Sequence, residues 1–295
     1  MEVSYFRFTP FIHFSLYNFI YYFICPFLFK TYRTYNAISI LYKIHSKRQG
    51  LTFYDDKLYE GTGLYGGESE IRHISTSNPA QTVRKSRALA DHLFGEGITY
   101  FKNGDGRDCI IQLTWREKSG FLYDSNTFEV LKEFKFQTGT GEGWGITYDP
   151  KSKEFIVSDG SNKLFFWDRD TLEEKRQISV HLDPTRIDSK KKNQGLLWYI
   201  NELEYVEHST CNSLFQNDLS NEKNGIILAN VWYQDILLAI QPHSGKVLKI
   251  YDLSELYVER DPSADCLNGI SISNEEGVFY VTGKLWPYMY KIRLK

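Results

Sequence analysis

Carboxylates, amides and indoles flanked by glycine recur along this chain at places where the backbone can turn and present them. Gly95-Glu96-Gly97, Gly141-Glu142-Gly143-Trp144-Gly145, Asn201-Glu202 and Asn268-Gly269 each precede a short apolar run. At the ends of the runs that follow stand Glu60, Trp115, Asp159, Trp232 and Lys284. A carboxyl group such as Glu96 can carry a proton between two atoms of a substrate. Gln49 and Asn201 offer both donors and an acceptor. An ammonium such as Lys284 can hold a developing oxyanion, and Trp115, Trp144 and Trp232 can wall a pocket. Taken singly, each glycine segment is as well explained by a turn and each tryptophan by packing; as a set, Glu, Asn and Lys beside three Trp ask for more than packing.

Metal chemistry has little to work with. The seven histidines show no HExxH or HxH spacing, and Cys25, Cys109, Cys211 and Cys266 include no CxxC pair. His73 and His92 read as ordinary surface or strand residues. The letters GTGLYG at 61–66 match a dinucleotide fingerprint, but Ser69 to Ile74 alternates like a strand and offers no helix N-terminus to a pyrophosphate.

The elements that must position these groups are strands. The 295 residues hold 20 Phe and 21 Tyr but Ala at only seven positions, a composition that suits pleated sheet better than helix. With 35 Lys and Arg against 37 Asp and Glu, there is no basic surplus for nucleic acid, and none is expected as a partner. Gly50-Leu51, Gly97-Ile98, Gly145-Ile146, Glu202-Leu203 and Gly269-Ile270 recur at intervals of 47, 48, 57 and 67 residues, the longer two holding polar insertions at 183–194 and 207–224. Hairpins at 121–134, 164–178 and 237–253 repeat within the units. Four strands per unit at this period predict an all-β, five-bladed β-propeller with four-stranded antiparallel blades. The last unit supplies three strands, so an N-terminal strand, Ile38 to Ile44, is expected to close the ring. The domains expected are an apolar segment at 1–30, a linker at 31–37 and the propeller at 38–295.

Ten blocks carry a resemblance: QGL at 49–51, YEGTGLYG at 59–66, FGEGIT at 94–99, QLTW at 112–115, GEGWGITYD at 141–149, VSDGS at 157–161, NELEYV at 201–206, ANVW at 229–232, LNGI at 267–270 and VTGKLWP at 281–287. In these the chain resembles the plant-type, five-bladed glutaminyl-peptide cyclotransferases, aminoacyltransferases also called glutamine cyclotransferases. The resemblance implies conversion of the N-terminal glutamine of peptides or proteins to pyroglutamate with loss of ammonia. It implies catalytic roles for Glu96, Asn201 and Lys284, substrate contacts from Gln49, Trp115, Trp144 and Trp232, and no catalytic metal or other cofactor, with room for a structural ion in the central channel. Two positions depart from the family: Lys47-Arg48 replaces its usual Phe-Thr, and Glu60-Gly61-Thr62-Gly63 its Glu-Ser-Thr-Gly. The first suggests a diverged pocket mouth or a misplaced exon boundary. A non-catalytic binding propeller and a calcium-dependent lactonase-type hydrolase are the alternative readings.

From Phe8 to Phe29 runs a mostly apolar stretch flanked by Arg7, Lys30 and Arg33, long enough to cross a bilayer. It reads as a signal or anchor segment that takes the protein into the secretory pathway, membrane-anchored or secreted; translated non-coding sequence is the alternative. The protein is expected to be a monomer.

Overall fold

A computed structural model describes residues 35–41, 47–76, 82–85, 88–182, 197–210, 214, 219 and 224–295. The expected anchor at 8–29 and both polar insertions fall wholly or largely outside them. Among the described residues no helix is long and apolar enough to cross a membrane, and helical structure is confined to a 3-10 turn, His208–Thr210, and the single 3-10 residue Leu219.

Among the described residues twenty strands form five four-stranded antiparallel sheets arranged as a five-bladed propeller. Blade 1 runs from the axis outward as β2 (Arg48–Tyr54), β3 (Lys57–Thr62), β4 (Ile71–Ile74) and β5 (Thr82–Lys85). Blade 2 is β6 (Gly95–Lys102), β7 (Asp108–Thr114), β8 (Ser119–Asp124) and β9 (Val130–Lys135); blade 3 is β10 (Ile146–Asp149), β11 (Glu154–Ser158), β12 (Lys163–Asp168) and β13 (Glu174–Ser179). Blade 4 is β14 (Ile200–Val206), β15 (Ile226–Val231), β16 (Ile236–Ile240) and β17 (Val247–Asp252). Blade 5 combines β18 (Leu267–Ile272), β19 (Val278–Gly283) and β20 (Met289–Leu294) with β1 (Tyr35–Leu41) as its outermost strand.

The closing strand therefore begins three residues before Ile38. Tyr35 pairs with Leu294 and is buried in the apolar seam between blades 4 and 5, which is why the pairing extends back to it. Tyr42 to Ile44, the end of the expected closing strand, lie outside the described residues.

The core is a set of seams between neighbouring blades. Phe101, Cys109 and Ile111 of blade 2 meet Ile146, Phe155 and Val157 of blade 3 in one of them, and the other blade pairs meet in the same way. The outer hairpins are fixed by local chemistry. Asp124 and Asp168 each accept backbone N–H groups two and three residues on, and Phe128 and Leu172 follow at φ 60° and 64°.

The Lys47-Arg48 departure has a structural account. Lys47 is exposed, whereas Arg48 is buried, pairs with the Glu60 carboxylate and donates to the Thr282 hydroxyl of blade 5. Glu60 also accepts from Arg72 Nε at 2.6 Å. Removing one partner of such a buried pair costs about 3–5 kcal/mol, so Arg48 ties blade 1 to the blade that closes the ring.

Candidate active site

Four innermost strands carry a bulge at the same place. Ladder register shifts between Arg48 and Gly50, Gly95 and Ile98, Ile200 and Leu203, and Leu267 and Ile270. A bulge leaves its extra residue unpaired and re-aims the side chain. The residues so placed are Gln49, Glu96, Asn201 and Asn268, and Trp144 holds the corresponding place in blade 3, just before β10. Next in each strand comes a residue on the axis: Gly50, Gly97, Gly145, Glu202 and Gly269. Backbones approach so closely there that a Cβ on Gly97 would lie 2.6 Å from the Trp144 carbonyl oxygen, and one on Gly145 2.2 Å from that of Asn201.

The register also corrects two sequence alignments. Leu51, Ile98, Ile146, Leu203 and Ile270 pair with Glu60, Gln112, Val157, Ala229 and Val281. Three residues beyond each partner stand Gly63, Trp115, Gly160, Trp232 and Lys284. Trp115, Trp232 and Lys284 thus share a rim position, but Glu60 and Asp159 do not belong to it. Glu60 is committed to Arg48 and Arg72, and Asp159 holds a turn by accepting from Thr140 N at 2.8 Å and Ser161 N at 3.1 Å. At Gly160 an added Cβ would lie 2.5 Å from the Trp144 ring, so the missing side chain makes room for that indole. Nor do the two Gly-Glu-Gly segments correspond: Glu96 matches Trp144, and Glu142 lies two residues earlier.

Glu142 has its own task. Its Oε2 accepts from Trp115 Nε1 at 3.0 Å and from Trp144 Nε1 at 2.9 Å, while Oε1 accepts from Arg116 Nε at 3.0 Å. One carboxylate thereby fixes two indoles from different blades. Trp144 meets Trp232 edge-on at 5.4 Å, and Phe94 packs edge-on to Trp115 at 5.6 Å, which extends the aromatic wall over blades 2 to 4.

The polar side spans blades 4, 5 and 1. Gln49 Oε1, Asn201 Oδ1 and both amide atoms of Asn268 are buried with no hydrogen-bond partner among the described residues. Glu96, 5% exposed, is pushed up to about 8, first by burial; the Lys284 charge pulls it down, and Glu142 and Glu117 push it up. Glu202 is not a rim carboxylate. It is buried on the axis and accepts from Ile270 N at 2.8 Å and Leu51 N at 3.3 Å, joining blade 4 to blades 5 and 1. Glu204 accepts from Ile272 N at 2.8 Å. Burial raises both carboxyl groups, Glu204 to about 8. Both carboxyl groups face backbone N–H donors, and among the described residues no group of three or more His, Cys, Asp or Glu side chains is placed to hold a metal ion.

A statistical model of the glutamine cyclotransferase family matches residues 34–294, which spans all five blades. The chain belongs to that family. Among curated relatives of this glutamine cyclotransferase family member is the glutaminyl-peptide cyclotransferase of Arabidopsis thaliana, 30% identical over 252 residues that cover 84% of this chain and 67% of the relative. Among solved structures, Myxococcus xanthus glutaminyl cyclase matches with a TM-score of 0.68 at 26% identity, covering 88% of this chain and 96% of that one.

Of the residues singled out in sequence, the fold sets Gln49, Glu96, Trp144 and Asn201 on one ring and Trp115, Trp232 and Lys284 on the next. Asn268, which the sequence set at the same repeat position, joins the first ring. What the sequence reading missed is Glu142 as the clamp of two indoles; nothing local signalled it, because it depends on two tryptophans converging from different blades.

Proposed function

We propose that this chain is a glutaminyl-peptide cyclotransferase acting on peptides or proteins with N-terminal glutamine. The observation that carries the reading is Glu96: a carboxyl group buried at the bulge of blade 2, influenced by Lys284 through charge, on a ring shared with amides and an indole. In the reaction the neutral α-amine attacks the side-chain carboxamide carbon. A C–N bond forms to close the five-membered ring, the bond from that carbon to the amide nitrogen breaks, and ammonia leaves. The amine loses one proton and the departing nitrogen gains one, so the overall proton count balances.

Glu96 shuttles that proton. Burial raises its carboxyl group to about 8, into the range where a single group can both take up and give back a proton near neutral pH. Such catalysis supplies about 10²–10⁴ in rate. Lys284 stabilises the oxyanion as the carbonyl becomes tetrahedral. Gln49 and Asn201 hold the carboxamide, and Trp115, Trp144 and Trp232 exclude water around the folded substrate.

The scheme uses no metal, and a chelator such as EDTA is expected to leave turnover intact; complete loss restored by zinc would contradict it. The apolar run at 8–29 supports passage into the secretory pathway, which fractionation of cells making the full chain would test. The assay that decides the main reading is ammonia release from Gln-Gln with formation of its pyroglutamyl product. Wild-type protein that releases none would refute it.

A further inference from the structure

The bulge ring and the indoles account for the reacting glutamine but leave Tyr233 unexplained. Tyr233 follows Trp232 in the turn after β15, where Gln234 N donates to Val231 O at 2.9 Å. Its backbone is left-handed at φ 62°, a conformation costly for a bulky side chain and easy for Gly or Asn. Burial does not explain a large ring at this place, since Tyr233 is 53% exposed. What the conformation achieves is a stack: the Tyr233 ring lies 4.1 Å from Trp232 with 29° between planes, and Trp232 meets Trp144. Its hydroxyl is raised by partial burial, then by the charges of Asp265 and Cys266, which precede β18 of blade 5. Leu285, immediately after Lys284, is left-handed too, at φ 59°. The aromatic wall therefore continues outward from the bulge ring and ends in a solvent-facing ledge between the Trp232 and Lys284 rim positions.

We propose that Tyr233 is a specificity-determining residue that receives the side chain of the second residue of the substrate, favouring aromatic or aliphatic residues there. This rests on the cyclotransferase reading, whose chemistry sets the direction of the chain. The side chain and α-amine of the first residue must lie by Glu96, so the peptide leaves through its carbonyl, and the second residue, about 3.3–3.6 Å further along the chain, reaches the mouth. The opposite rim is charged: Arg116, exposed, stacks 3.7 Å over Trp115. Blade 4 provides the apolar landing.

The test compares Gln-Phe, Gln-Leu and Gln-Gly as substrates and as ligands, the latter by quenching of intrinsic tryptophan fluorescence. Wild type should favour Gln-Phe and Gln-Leu over Gln-Gly by about tenfold or more in kcat/KM. Tyr233→Asn, which suits the left-handed backbone, should bring Gln-Phe down to the Gln-Gly level while changing Gln-Gly itself by less than about twofold; Tyr233→Phe should keep the preference. An equal loss on all three peptides, or an unchanged ratio, would overturn the ledge. Absence of ammonia from every peptide would sink the cyclotransferase reading instead, and the fluorescence titration, which needs no turnover, would still decide on the ledge.

Discussion

Glu96 in blade 2 and Glu202 in blade 4 stand one repeat position apart on the inner strands, are almost equally hidden from water, and are both raised by burial. Their surroundings differ. Glu202 faces two backbone N–H groups from neighbouring blades, whereas Glu96, beyond its burial, feels the charges of Lys284, Glu142 and Glu117. A buried carboxyl group with its lone pairs occupied is a structural tie; one without such donors keeps its proton available for exchange. The bulge produces the difference. It turns Glu96 out of the ladder toward the mouth, while the next position, filled by glycine in the other four blades, sends Glu202 across the axis.

Exchanging each acid for its amide tests this contrast most severely. Glu96→Gln should lower kcat by about 10² or more with KM and urea midpoint little changed, and Glu202→Gln should leave kcat within a few-fold. Wild-type turnover of Glu96→Gln on Gln-Gln would remove it from the mechanism, and Glu142, engaged with two indoles, would need re-examination. Glu202→Ala should act on folding instead. It leaves two buried N–H groups without an acceptor, at about 1–3 kcal/mol each, and a urea midpoint equal to wild type would show that Glu202 is no tie.

Trp144→Ala occupies middle ground. It strips wall area from the bound and transition states alike, so KM should rise about tenfold with kcat nearly preserved; a fall in kcat at constant KM would place the indole in the chemistry. Smaller shifts belong to the charges around Glu96. Lys284 pulls its value down, so Lys284→Ala should move the Glu96 inflection in the kcat/KM–pH profile to higher pH. Glu142 pushes it up, so Glu142→Gln should move the inflection lower. Shifts in one direction for both variants would disprove the electrostatic assignment.

The smallest effect concerns stability and pH. Glu204, raised to about 8 in the folded protein against an ordinary 4.5, favours folding fully below the unfolded value, and that contribution disappears as pH rises through the folded one. Glu204→Gln keeps an acceptor for Ile272 N but cannot ionise. Its melting temperature should fall less than wild type between about pH 4.5 and pH 8; parallel curves would assign the pH dependence elsewhere.

Much of this site was legible in sequence because a propeller repeats its geometry. Glycine-flanked Glu96 and the terminal residues Trp115, Trp232 and Lys284 could be aligned by pattern, and they do share ring positions. The alignment failed where letters repeated out of register. Gly-Glu-Gly at 141–143 looks like Gly-Glu-Gly at 95–97, yet Trp144 occupies the Glu96 place; Glu60 and Asp159 were drawn to the rim by proximity to it in sequence. Ladder pairing decides such cases, since a shift of one residue sends a strand side chain to the other face.

By itself the sequence determined the strand composition, the five units, the need for an outside strand to complete the last blade, and a supply of one suitable acid beside amides, indoles and a lysine. These follow from local alternation and from short segments that repeat. Only the tertiary structure decided that closure starts at Tyr35, that Arg48 is a buried tie to Glu60 and Thr282, that Glu142 holds two indoles, and that Glu96 and Glu202 have different surroundings. Each depends on which N–H, ring or charge arrives from a distant part of the chain, as where Arg48 meets Thr282, 234 residues away.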